Sequence, residues 1–128
     1  MTKEKLNELS GTILDSCITV HREMGPGLME SIYELCLLEE LERRSVSVDS
    51  QVSIPLAYKG RHLSKDFRID VLVEREIIIE VKAVEVILPV HEAQIISYLK
   101  LADKRLGFLV NFNVALMKDG FHRFVNRF

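Results

Sequence analysis

The segment Phe67-Arg68-Ile69-Asp70-Val71-Leu72-Val73-Glu74-Arg75-Glu76-Ile77-Ile78-Ile79-Glu80-Val81-Lys82 holds two β-branched runs on either side of a short charged turn, the pattern of an antiparallel hairpin. With Glu74, Arg75 and Glu76 as a three-residue loop, Val73 pairs with Ile77 and the register sets Asp70 opposite Glu80. Period-2 alternation puts Lys82 on the face of Glu80. Two carboxylates facing each other at about 4.5–5.5 Å between Cβ atoms repel. A divalent cation between them relieves the repulsion, because Mg²⁺ takes oxygen ligands in compact octahedral geometry. An ammonium two residues along can then hold a water or a phosphate oxygen. A loop of two or four residues would shift the register by one and turn Asp70 to the opposite face. The competing reading is an ordinary solvated Asp–Lys–Glu cluster on an edge hairpin. Against it, Ile77 to Ala83 is apolar nearly throughout, as in a central strand covered on both faces, where unpaired charge is costly.

Upstream, Leu6, Leu9, Ile13, Cys17, Val20 and Met24 recur at helical spacing, predicting an amphipathic helix over about residues 3–23. Gly25-Pro26-Gly27 ends it and starts a second helix, with Pro26 in the first turn, running to about Arg44. Ile32, Leu35 and Cys36 lie on one side and Leu37, Leu38 and Leu41 on another, so that helix is expected to be buried on most of its surface. Glu30 projects near Leu37 and Leu41 with Tyr33 close by. It either stabilises the helix N-terminus or points into a site. Val46–Asp49 and Val52–Tyr58 alternate as strand, with Pro55 marking an edge. Leu63, Phe67, Ile69, Val71 and Val73 are expected on the core face of the next strand, and Asp66, Arg68, Asp70 and Leu72 on the other.

Downstream of Leu88-Pro89, residues 90–102 read as a helix with His91, Gln94 and Tyr98 on one face and Ile95, Leu99 and Ala102 on a neighbouring one. Arg105 to Phe112 reads as a buried strand. Val114–Met117 and Phe121–Val125 flank the turn signal Lys118-Asp119-Gly120, predicting a terminal hairpin. With no repeat or linker, the expectation is one domain over residues 1–128. Its fold class is α/β, a mixed sheet flanked by helices in the order α-α-β-β-β-α-β plus the hairpin.

Composition narrows the classes further. A chain of 128 residues, 48% hydrophobic and 28% charged, is globular. It has no apolar run near the roughly 20 residues needed to span a bilayer. Met1-Thr2-Lys3-Glu4-Lys5 leads into an amphipathic pattern and not into a signal-peptide core, so a cytoplasmic protein without a membrane role is expected. Cys17 and Cys36 have no metal-ligand spacing and read as reduced core thiols. Net charge is −2, which gives no general attraction for nucleic acid. Its distribution is uneven: residues 1–49 carry 5 Lys/Arg against 10 Asp/Glu, and residues 97–128 carry 6 against 2.

Asp70, then nine residues, then Glu80-Val81-Lys82 resembles the D-x(n)-E-x-K signature of the PD-(D/E)XK nuclease superfamily. Gln94-Ile95-Ile96-Ser97-Tyr98 is similar to the Q-h-x-x-Y helix motif of its RecB-like branches. Gly27-Leu28-Met29-Glu30-Ser31-Ile32-Tyr33 resembles the pattern that names the GxxExxY family within it, as do the phrases around Val81–Val84, Leu88–Gln94 and Leu109–Asn113. The resemblance covers roughly residues 10–126, and Ile69 stands where the most familiar pattern has proline. It implies a restriction-endonuclease-like core and a Mg²⁺- or Mn²⁺-dependent phosphodiesterase site. Asp70, Glu80 and the Val81 carbonyl would bind metal, with Glu30 a further ligand or base. Lys82 would position or deprotonate the attacking water and steady the phosphate charge. Gln94 would orient Lys82 or the phosphate, with Tyr98 behind it. His91 and His62 are candidate phosphate contacts or structural residues.

The expected function is therefore hydrolysis of DNA or RNA, acting as a dimer, with a protein partner, or on a narrow substrate such as an end, flap or single strand. The alternative is a nuclease-fold binding or regulatory module that works with a partner and does not cleave. Neither G-x-S-x-G nor a P-loop is present, which leaves acyl transfer and nucleotide hydrolysis without support.

Overall fold

The computed structural model describes residues 1–128. Helix α1 (Lys3–Met24) is opened by Thr2, whose hydroxyl accepts the Lys5 N–H at 3.1 Å. It buries Leu6, Leu9, Ile13, Cys17 and Val20 of the stripe read from the sequence, while Met24 in the last turn is exposed. Helix α2 (Glu30–Arg43) begins four residues after Pro26 and not at it. Gly25 and Gly27 adopt φ values of 70° and 97°, a left-handed region open to glycine at little cost, and they carry the chain outward before the helix can start. The buried Tyr33 hydroxyl fixes this loop by donating to the Gly25 carbonyl at 2.5 Å and accepting the Leu28 N–H at 3.0 Å. Only Tyr33, Leu37 and Leu41 of α2 are fully buried and Leu35 is 66% exposed. The expectation of a mostly buried helix is corrected accordingly: the sheet covers one stripe only.

Five strands follow in the spatial order β1-β2-β3-β4-β5: β1 (Val48–Tyr58), β2 (Arg61–Val73), β3 (Ile77–Lys82), β4 (Leu106–Asn111) and β5 (Phe121–Val125). Strands β3 and β4 are parallel and every other pair is antiparallel. Helix α3 (Pro89–Leu101) makes the crossover between the parallel strands. Gly107 lets it sit close, because a Cβ there would meet Ile95, Leu99 and the Ile78 carbonyl at 3.2 Å. Strand β3 is central and buried through Val81. Pro55 lies on the edge strand β1, where the β1–β2 register shifts between Pro55 and Ala57. No helix is long and apolar enough to cross a membrane.

The terminal hairpin is not formed as read. Val114–Leu116 form no strand, Met117–Asp119 make a single 3₁₀ turn, and β5 pairs with β4 instead. The cause is a close return at Gly120. The Asn111 N–H donates to the Gly120 carbonyl at 2.8 Å, and a Cβ on residue 120 would stand 2.1 Å from the Asn111 carbonyl oxygen.

The sheet separates two apolar clusters. Val71, Val73, Ile77, Ile79 and Val81 join α1 and α2 in the larger one. Ile69, Leu72 and Ile78 join Ile95 and Leu99 of α3 in the smaller, with Phe67, Val52 and Ile54 packed against it. Phe67 and Ile69 therefore lie on the opposite face from Val71 and Val73, and the expectation of one continuous core face along β2 is corrected. The strand turns over at Asp70. On β1 the residue opposite, Gln51, takes a φ of 50°, so both strands of the ribbon rotate at the same level.

Candidate active site

The Glu74-Arg75-Glu76 loop forms as read. Glu74 and Arg75 adopt left-handed φ values of 51° and 56°, and the Glu76 N–H closes on the Val73 carbonyl at 2.9 Å. The β2–β3 ladder runs Val73↔Ile77, Leu72↔Ile78, Val71↔Ile79 and then stops. At the next step, side chains replace backbone pairing. Glu80 Oε2 accepts the Asp70 N–H at 2.9 Å, and Asp70 Oδ2 accepts the Val81 N–H at 3.0 Å. The two carboxylates thus face one another across the opened strands. A strand residue's N–H and C=O point to the same edge, so the Val81 carbonyl is directed towards β2, where Asp70 stands.

Glu80 is 5% exposed. Burial first, and then the charge of Asp70, push its carboxyl from 4.5 up to about 8, while Lys82 pulls it down. The folded protein holds a proton on Glu80 across a pH window in which the unfolded chain has released it. Stability from this group is therefore complete below about pH 4.5 and is lost as pH rises through about 8. Across that window the linked proton changes stability by about 1.4 kcal/mol per pH unit. Thermal unfolding of the metal-free protein should show a falling midpoint over this range. Glu80→Gln, which keeps the shape and removes the titration, should flatten the fall. An unchanged slope would refute the assignment.

Lys82 is half-buried at the end of β3, and none of the chain's ion pairs involves it, Asp70 or Glu80. Alternation from Ile78 carries Glu80 and Lys82 towards α3. There the half-buried Tyr98 packs its ring 4.9 Å from that of Phe67 and receives the exposed Gln94 amide on its hydroxyl at 3.1 Å. Burial, and next the negative charge of Glu80, push the Tyr98 hydroxyl up. Gln94 and Tyr98 thus belong to the rim of the same site. His91 is used locally: its Nδ1 accepts the Leu88 N–H at 3.0 Å across the first turn of α3. His62 is exposed near the tip of the β1–β2 ribbon.

Glu30 is exposed at the first residue of α2 and borders a shallow depression with Leu28, Met29, Ser31 and Ala83, the last adjoining Lys82. Tyr33 is wholly buried, stacks on Phe112 with ring centroids 4.6 Å apart, and holds the loop leading to Glu30. No three His, Cys, Asp or Glu side chains stand together in a form that would hold a metal ion, so Glu30 does not converge with Asp70 and Glu80 here. A pair of carboxylates with a strand carbonyl nevertheless fits a hard divalent cation. Mg²⁺ is commonly held by one or two carboxylates, with waters and substrate phosphate completing its shell.

Two groups escaped the sequence reading. Glu34, one turn after Glu30, is half-buried and accepts the Gln51 amide at 2.9 and 3.1 Å. Burial raises its carboxyl, Gln51 offsets part of this, and Asp70 and Glu30 add to the rise. It is the α2 acid tied across to the Asp70 level, and the spacing of four from Glu30 was a usable signal. The other is buried Asn111, whose Oδ1 accepts the Val84 and Asn113 N–H groups at 3.1 Å and whose Nδ2 donates to the Val84 carbonyl at 2.9 Å. It fixes the chain just beyond Lys82. Asn111→Ala should cost about 1–3 kcal/mol by leaving backbone groups unpaired, read as a lower urea midpoint. Wild-type stability would show that the clamp is not needed.

A five-stranded mixed sheet flanked by helices, with Asp70 and Glu80-Val81-Lys82 at the opened end of its central hairpin, has the architecture of a restriction-endonuclease-like nuclease. The chain belongs to the PD-(D/E)XK nuclease superfamily, whose family model matches residues 7–124. No curated protein and no solved structure gives a significant match. Nucleases of this superfamily act on nucleic acid and generally use divalent metal ions.

Proposed function

We infer that the protein is a Mg²⁺- or Mn²⁺-dependent phosphodiesterase that hydrolyses DNA or RNA at Asp70, Glu80 and Lys82. The observation that carries this reading is the reciprocal Asp70–Glu80 arrangement, which keeps two carboxyl groups together with neither in an ion pair. When bound, a divalent cation supplies charge neutralisation at the phosphate and a more acidic water. Asp70 and Glu80 would hold it, with the Val81 carbonyl as a third oxygen. Glu80 must give up its proton to do so, which makes binding stronger as pH rises towards about 8. Lys82 places its ammonium beside the phosphate oxygen and the attacking water. Gln94 and Tyr98 steady that end of the site, and Glu30 and Glu34 add negative charge on the α2 side.

Membership of the GxxExxY family is supported by Gly27, Glu30 and Tyr33 at the pattern positions. One domain over residues 1–128 is supported by helices on both faces of a single sheet. The unpaired thiols Cys17 and Cys36 suit a reducing, cytoplasmic setting. A second copy or a protein partner would supply the generic phosphate attraction that a net charge of −2 withholds.

The test is calorimetric titration of the metal-free protein with Mn²⁺ and Mg²⁺, beside cleavage assays on single- and double-stranded DNA and RNA. Binding with cleavage of at least one substrate supports the assignment. Binding without cleavage of any would favour a regulatory module, and absence of binding would defeat the site.

A further inference from the structure

The β1–β2 ribbon outgrows the sheet. Strand β2 pairs with β3 only from Val71 to Val73, whereas β1 accompanies it down to the Tyr58↔Arg61 pair. Phe67, Val52 and Ile54 anchor the base of this extension on the α3 side. Beyond them, residues 57–66 are exposed on both faces, including Tyr58 at 61% and Leu63 at 43%. No strand or helix covers this length. From the Tyr58↔Arg61 pair to the level of Gln51 and Asp70 is seven steps along β1, because β2 carries its two extra residues at the register shift. At about 3.3 Å each, the ribbon reaches roughly 23 Å from the carboxylates.

Its charge is one-sided. Lys59, Arg61, Lys65 and Arg68 are exposed, and none is in an ion pair. The one acid among them, Asp66, accepts the Ser53 hydroxyl at 2.7 Å on the neighbouring strand. The fold thus offers these four exposed cations no ion-pair partner. The register places Arg61 beside Tyr58 and Arg68 beside Ser53, on opposite faces of the ribbon. Both faces are therefore equipped to meet phosphate. A two-stranded β-ribbon is also the element that fits the major groove of B-form DNA, about 12 Å wide, while the deep, narrow groove of duplex RNA excludes it.

We propose that the β1–β2 ribbon is a grip for double-stranded DNA, lying in the major groove with Lys59, Arg61, Lys65 and Arg68 on the flanking phosphates and delivering the duplex to the Asp70 level. The proposal rests on the phosphodiesterase reading of that site and adds its substrate and direction of approach. At about 3.4 Å per base pair, the ribbon spans about seven base pairs to one side of the scissile phosphate.

The test measures binding of fluorescein-labelled duplexes by anisotropy in Ca²⁺, using the full chain, with hydrolysis of bis(p-nitrophenyl) phosphate in Mn²⁺ as a separate readout that needs no grip. Arg61→Gln with Lys65→Gln should weaken binding of a long DNA duplex at least about tenfold and lower the salt slope by about 2. Hydrolysis of the small diester should be unchanged. Lys65→Arg, which keeps the charge, should bind as wild type, and circular dichroism checks that the variants fold. Duplexes extending fewer than about seven base pairs beyond the cleavage point should bind more weakly, and duplex RNA should bind less well than DNA. Wild-type binding by the double variant would overturn the proposal, as would equal affinity for duplex RNA, absence of DNA binding by the parent, or a changed oligomeric state with unchanged binding. Failure of diester hydrolysis with a ribbon-dependent duplex affinity would instead sink the phosphodiesterase reading alone.

Discussion

Asp70→Ala is expected to abolish cleavage and to weaken divalent-metal binding by more than about 100-fold, the upper end of what even outer groups of a metal site cost. Asp70 serves the site twice. Its carboxylate is one of two that face each other, and its Oδ2 also accepts the Val81 N–H, which sets the direction of the adjoining carbonyl. Alanine removes the charge and leaves that N–H without its partner, at about 1–3 kcal/mol of stability. Asp70→Asn separates the two effects, because the amide oxygen still accepts the hydrogen bond while the charge is gone. Asparagine should therefore recover most of the stability and little of the metal affinity. Calorimetry and urea unfolding on the two variants read these separately. Metal affinity within a few-fold of wild type in Asp70→Ala would remove Asp70 from the site.

Lys82→Ala should lower the cleavage rate by about 10² to 10³, the range found when one charge-stabilising group is removed from a reaction centre, and should leave metal binding within a few-fold. Lys82 lowers the carboxyl of Glu80, so its loss also moves the alkaline-side rise in metal binding to higher pH. That shift is a signature a purely structural lysine would not give. Lys82→Arg should not restore the rate, since a planar guanidinium cannot occupy the place of a compact ammonium. Equal loss of metal binding and rate in Lys82→Ala would mean that the residue shapes the pocket and takes no part in the chemistry.

Much of this was legible in the residues. The three-residue loop fixed the hairpin register, and the register alone set Asp70 against Glu80, as observed. The stripes of α1 and α3 and the buried run of β3 also appear where the spacing put them. What failed shares a cause. Pro26 carries a real preference for a first helical turn, but the Tyr33 hydroxyl holds Gly25 and Leu28 in a loop, a contact across the chain that no local rule contains. Lys118-Asp119-Gly120 does turn, but the partner of β5 was decided by the close return of Gly120 onto Asn111. Alternation along β2 predicts one core face from Phe67 to Val73, but the strand turns over at Asp70, so Ile69 joins Leu72 on the α3 side while Val71 and Val73 join α1 and α2. Glu34 was passed over because an acid at helical spacing reads as solvated until Gln51 and Asp70 are seen beside it.

The turning-over of β2 at Asp70 bears on how portable such a site is. Val71 and Val73 are seated among α1 and α2, and Phe67 and Ile69 are seated against α3, so the acid is aimed by two anchorages pulling from either side of the molecule. Transplanted into a foreign scaffold, the hairpin from Phe67 to Lys82 would keep its loop and its pairing but would relax to an unbroken pleat. The strands would then close at Asp70 and Glu80, and the opening in which the two carboxylates accept the backbone N–H groups would be lost. Anyone wishing to borrow the chemistry would have to borrow both halves of the interior with it.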